Sequence, residues 1–165
     1  MRKQKFDLYT FLSGDAPDAK GRYYNGILQQ SDEWLEHCHD YIQEIFPTDE
    51  PSTFVLHAPI VTIEDANKRS QNIFVKQNMK CALERMIEFY STTNRFGKYF
   101  WVEKQNHNYR RVSRILRSLR LFGLDDEADM FYEFVNNIAD ENPNAVNTDT
   151  RAFWAKNNER IIIET

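Results

Sequence analysis

Apolar residues recur along most of this chain at spacings of three and four, the period of a single helix face. Residues 109–122 show it most clearly. At about 100° per residue, Val112, Ile115, Leu116, Leu119 and Phe122 fall on one side. Arg110, Arg114 and Arg117 point the opposite way, and Arg111 and Arg120 take the flanks. Asn106 or Asn108 can cap the start of this helix, and Gly123 can stop its end. The same period predicts a short helix over residues 5–12, with Phe6, Tyr9 and Leu12 inward, and a turn of helix over 24–29. A longer helix is expected over residues 32–46, capped by Ser31, with Leu35, Cys38, Ile42 and Ile45 on its core face.

Pro47 ends that helix and Pro51 keeps the following stretch extended. Residues 47–61 read as a structured loop that shelters Phe54, Val55, Leu56 and Ile60 from water. Thr62 with Asp65 resembles a capping box, so a short helix should begin near Ile63. Residues 71–90 form a long helix whose inner stripe is Val75, Met79, Leu83, Met86 and Tyr90. Tyr99, Phe100, Trp101 and Val102 read as an extended aromatic run packed over the bundle. A helix over 126–139 turns Phe131, Phe134, Val135 and Ile138 inward, and a last helix over 149–157 buries Phe153 and Trp154. Residues 14–21 and 142–144, rich in Gly, Pro, Asn and Asp, are loops. The fold class is therefore all-α: a compact bundle of about six to seven helices in a single domain spanning residues 1–165.

A chain of 165 residues suits one domain. At that length roughly 70% of the unfolded surface is buried, enough for a real core. The net charge of −4 gives no general attraction to nucleic acid or anionic membrane. It hides a split, however. Residues 94–122 hold eight basic residues against Glu103 alone, a net of +7, and residues 125–141 hold seven acids and no base, a net of −7. The arginines therefore have a ready partner in the following helix.

Cys38 and Cys81 both occupy apolar helical positions and read as buried thiols in a reducing compartment. No apolar run approaches the roughly 20 residues of a membrane span. The opening residues lack an apolar signal core, so a cytoplasmic location is expected.

Chemistry-bearing motifs are sparse. His37 and His39 are separated by about 200° on a helix and cannot converge on one ion. Glu36 and His39 share a face as in di-iron bundles, but no second Glu-x-x-His accompanies them, so no metal or other cofactor is expected. There is no Gly-x-Ser-x-Gly elbow, Walker loop or Gly-x-Gly-x-x-Gly, which leaves an enzyme using His39 and His107 as a third reading. Nucleic-acid binding by the arginine helix 109–122, with Tyr99, Phe100 and Trp101 stacking on bases, is the alternative. It requires Arg110, Arg114 and Arg117 to be exposed and unpaired.

Two longer blocks carry a resemblance. One is His39-Asp40-Tyr41-Ile42-Gln43, Phe46-Pro47 and Glu50-Pro51-Ser52. The other is Asn106-His107-Asn108, Arg111, Arg114-Ile115-Leu116, Ser118-Leu119 and Gly123-Leu124. With Pro17-Asp18, Gly21-Arg22, Ala58-Pro59 and Phe153-Trp154, the chain resembles the opioid growth factor receptor conserved region over about residues 10–157. At position 44 a Glu stands where that family often has Trp. The resemblance implies an all-helical, non-enzymatic binding domain for a peptide or protein partner, in a stand-alone, microbial version. Animal members are described as enkephalin receptors associated with the nucleus and its envelope. By the resemblance, His39, Tyr41, Gln43, Asn106, His107, Asn108, Arg111 and Arg114 are the candidate ligand-binding residues. Their two blocks would meet in one cleft, where Arg111 and Arg114 would offer fork-shaped donors to a carboxylate.

Overall fold

A computed structural model of the chain describes residues 6–53 and 55–163. The expected helix start at residue 5 and the expected burial of Phe54 lie outside the described residues. Within them are nine helices and no strand; the only β pairing is two isolated bridges, Thr48 with Ile60 and Thr93 with Tyr99. The helices are α1 (Leu8–Leu12), α2 (Tyr24–Leu28), α3 (Asp32–His37), α4 (Ile42–Ile45), α5 (Ile63–Arg69), α6 (Ile73–Ser91), α7 (Asn108–Leu121), α8 (Asp125–Glu141) and α9 (Thr148–Asn157). They form two compact units, one ending at Arg85 and the other beginning at Met86, so that the boundary falls inside α6.

The first unit is built on short helices, and α1, α3 and α5 are each started by a polar cap. Asp7 accepts from the amides of Tyr9 and Thr10, Ser31 from Trp34, and Thr62 from Asp65. Each satisfies helix-start amides that have no partner within the helix. Phe11, Leu12, Tyr24, Ile27, Leu35, Ile42 and Ile45 are all but sealed from solvent. The α6 stripe joins them through Val75, Met79 and Leu83, as its spacing predicts. Polar ties fix α6 to its neighbours: the Asn78 amide donates to Leu12 O at 2.8 Å, and Arg85 donates to Leu28 O at 3.0 Å and Gln30 O at 2.9 Å.

The expected helix over 32–46 is two helices. Cys38 leaves α3 in an extended conformation (φ −84°, ψ 123°), and the chain turns before Ile42. The Tyr41 hydroxyl folds back to donate to Leu35 O at 2.8 Å, and the Tyr41 ring packs 5.2 Å from that of Trp34. The apolar spacing hides the break because Leu35, Ile42 and Ile45 reach the core from either side of it. The shared-face arguments for His37, Glu36 and His39 lapse with it, since His39 is not helical. The buried-thiol expectation is corrected too: Cys38 is half-buried and Cys81 is exposed on α6. Leu56 (90% exposed) and Ile60 (56%) also face solvent, contrary to expectation; the end of this connection is held by the backbone pairing of Val61 N to Thr48 O and by the buried Val61 side chain.

In the second unit α7 packs against both α8 and α9. Its apolar face is buried as predicted, and among its residues only Arg110 is exposed, with Arg114 and Arg117 half-buried. Aromatic rings brace it in a chain of edge contacts, Tyr90 to Trp101 at 5.1 Å, Trp101 to Tyr109 at 6.2 Å and Tyr109 to Trp154 at 5.9 Å. The indoles are satisfied by backbone, Trp101 donating to Tyr90 O and Trp154 to Tyr109 O, each at 2.9 Å. Phe153, expected inward, is half exposed, since Trp154 takes the buried position on α9. The expected extended run is short: Tyr99 pairs with Thr93 and the chain turns at residues 100–101, with Trp101 buried and Phe100 at the surface.

Gly123 ends α7 with φ 71°. Its amide donates to Arg120 O, and that of Leu124 to Leu119 O at 2.8 Å, the paired bonds of a Schellman cap. Gly123→Ala is expected to destabilise the chain by about 1 kcal/mol, the cost of a left-handed conformation with a Cβ, read as a lowered urea midpoint.

Candidate functional site

The densest charge cluster in the first unit gathers around Arg22. A tight turn presents it: Asp18 N donates to Arg22 O at 2.9 Å, and Gly21, at φ 78°, donates its amide to Asp18 O. The Asp18 carboxylate is fully buried and accepts from the amides of Lys20 (2.9 Å) and Arg22 (2.8 Å) and from Arg22 Nε (2.7 Å). Arg22 Nη1 donates to Asp40 Oδ1 at 2.9 Å, and Arg22 Nη2 stands 3.6 Å from Glu44 Oε2. Lys20 pairs with the other Asp40 oxygen. The Cys38 thiol donates to Asp40 Oδ1 at 3.1 Å, and Trp34 lies 5.8 Å from the guanidinium. Asp40 is thus drawn out of the α3 helical path toward two cations, the physical reason for the break after His37.

The electrostatics follow from crowding three carboxyls on one guanidinium. Burial would raise the Asp40 pKa, but bonds from Lys20, Arg22 and Cys38 hold it well below the usual carboxylate range. Burial likewise opposes ionisation of Asp18, and the bonds from Glu44 and Arg22 outweigh it. Arg22 is held above its ordinary value: burial lowers it, but Asp40 and Asp18 more than compensate. Glu44 goes the other way. Burial, its hydrogen bond to Asp18 and the Asp18 charge push it up to about 8. Its Oε2 is buried with no hydrogen-bond partner.

A second polar cluster lies at the start of α7. Asn106 Oδ1 accepts from the Asn108 amide at 2.9 Å, so Asn106 does the capping work. Asn108, fully buried, accepts from the Tyr90 hydroxyl at 3.1 Å and donates its side-chain amide to Asn106. Arg111 is buried beside it, with Nη1 3.5 Å from Asn108 Oδ1. Farther along, Arg120 is buried and donates to Asp125 at 2.8 Å, Asp129 at 2.5 Å and Asn158 O at 2.9 Å. Burial lowers the Arg120 pKa, and Asp125 and Asp129 reverse this and raise it. The acidic α8 thus neutralises this end of the arginine helix.

Of the eight candidate residues, His39, Tyr41 and Gln43 fall in the first unit, and Asn106, His107, Asn108, Arg111 and Arg114 in the second. Tyr41, Gln43, Asn108 and Arg111 are buried; Asn106 and Arg114 are half-buried, and His39 and His107 are exposed. Of the arginines that the nucleic-acid reading needs at the surface, Arg110 is exposed and Arg114 and Arg117 are half-buried. Among the described residues no group of three or more His, Cys, Asp or Glu side chains is placed to hold a metal ion. None of the eight lines a cleft of about 690 Å³ in the second unit, whose walls include Asn94, Lys98, Tyr99, Phe100, Glu141 and Asn142. Asp18, Arg22, Asp40 and Glu44 are not among these eight. Asp18 and Arg22, four apart and both in the quoted motifs, were the available signal.

The architecture is that of an all-helical domain whose motif residues hold its turns and helix starts together. The chain belongs to the opioid growth factor receptor (OGFr) conserved region family, whose profile matches residues 3–156. No curated protein and no solved structure matches it at a significant level.

Two outcomes are expected. Arg22→Met should destabilise the first unit by roughly 3–5 kcal/mol, because it strands the buried Asp18 carboxylate, and denaturant unfolding measures this. Thiol titration of the native protein should label Cys81 rapidly and Cys38 only slowly, both reacting fast in denaturant.

Proposed function

We propose that this domain binds a peptide or protein partner and is not an enzyme. The observation that carries the reading is a set of large apolar side chains left in solvent along residues 56–74. Leu56 (90% exposed), Ile60 (56%), Ile73 (62%) and Phe74 (60%) belong to it. Exposed apolar side chains gain free energy when a partner covers them, and a few such anchors carry most of the energy of an interface. The chemistry-bearing groups of the two motif blocks, by contrast, are spent on structure: Tyr41 on Leu35 O, Asn108 on Tyr90 and Asn106. Membership of a family described as a receptor region supports the same reading. Of the candidate residues, His39, Asn106, His107 and Arg114 are those a partner can reach. No helix among the described residues is long and apolar enough to cross a membrane. We place the protein in the cytoplasm, where Cys38 and Cys81, joined in no disulfide, are at home.

Thermal unfolding against a peptide library that includes an enkephalin, with oligonucleotides and nucleotides as controls, tests the proposal. A peptide at 100 times its dissociation constant should stabilise the fold by about 2.7 kcal/mol. Leu56→Ser with Phe74→Ser should abolish that shift while leaving the unliganded midpoint within about 0.5 kcal/mol, as surface substitutions do. Stabilisation by oligonucleotides and not by any peptide would sink the reading.

A further inference from the structure

The Arg22 cluster holds more carboxyl groups than one guanidinium can serve. Asp18 and Glu44 are within hydrogen-bonding reach of each other. Two ionised carboxylates are both acceptors, and facing each other out of water they repel. A proton on Glu44 turns the same contact into a donated bond and gives the orphaned side of the carboxyl a role. The charges then balance, with Asp18 and Asp40 against Lys20 and Arg22.

We propose that Asp18, Arg22, Asp40 and Glu44 form a proton-operated clasp, which holds the loop between α1 and α2 against α4 while Glu44 is protonated and loosens when it ionises. The groups facing Glu44 come from each element packed there. Asp18 and Arg22 lie on the α1–α2 loop and Asp40 on the link between α3 and α4, with Lys20 and Cys38 bonded to Asp40. Glu44 is placed to sense alkalinity because burial and Asp18 both oppose its charge, and Arg22, 3.6 Å away, cancels only part of this.

The direction follows from linkage. Folding raises the Glu44 pKa from an ordinary 4.5 to about 8. The stability it contributes is fully present below 4.5 and is lost as pH rises through about 8. Asp18 and Asp40, both held low, contribute stability that is lost only on acidification, so they do not oppose the change in this window.

The experiment is carboxyl carbon NMR of the full chain from pH 5 to 9.5, with urea unfolding of the wild type and Glu44→Gln over the same range. The Glu44 carboxyl should titrate near pH 8, and the Lys20 and Arg22 amides, which donate to Asp18, should shift with the same midpoint. The wild-type unfolding constant should rise about tenfold per pH unit across most of the interval below 8, a slope absent from Glu44→Gln, whose amide can donate to Asp18 at any pH. A Glu44 midpoint near 4.5, loop amides that do not follow it, or a slope that survives in Glu44→Gln would each overturn the clasp. Should Glu44→Gln fail to fold, the wild-type carboxyl titration decides alone.

Discussion

A guanidinium withdrawn from water keeps its place only if acceptors surround it, and that requirement organises the first unit of this protein. Arg22 needs Asp18, so residues 18–22 close into a tight turn with Gly21 in a left-handed conformation. It also needs Asp40, so the chain abandons the α3 helix after His37 and restarts at Ile42. The second unit obeys the same constraint at Arg120, which collects Asp125, Asp129 and Asn158. In both units breaking one partner costs more than the pair contributes, because an uncompensated buried charge remains.

This constraint changes what the motif blocks mean. Asp18, Arg22, Asp40 and Tyr41 in the first unit, and Asn106 and Asn108 in the second, are engaged in holding turns and helix starts. The chain belongs to the opioid growth factor receptor conserved region family, and the residues that make it recognisable are largely those that make it fold. The surface keeps other groups: exposed histidines, among them His39 and His107, and the apolar side chains Leu56, Ile60, Ile73 and Phe74.

The helices, their inner stripes and most caps were legible in the sequence because each is decided locally. Ser31, Thr62 and Gly123 act through bonds to residues within five positions of themselves, and the α6 and α7 stripes follow from a 3.6-residue period alone. The Arg22 cluster was not legible. Its members span residues 18–44, and nothing in the pattern says which carboxylate a given arginine will meet. The aromatic residues were half legible, since composition gives their number but only packing separates buried Trp154 from exposed Phe153 beside it.

By itself, the sequence determined an all-helical chain, the sides its longer helices would bury, and the family it belongs to. Only the tertiary structure decided that the helix over 32–46 is broken, that Cys81 and Leu56 face solvent, and that Arg111 and Arg120 are buried while Arg110 is not. The reason is one of range. Periodicity and capping are set within a turn or two of backbone, whereas the burial of a charge depends on which distant acceptors the fold delivers, and a buried charge overrides local preference because leaving it unpaired costs several kcal/mol.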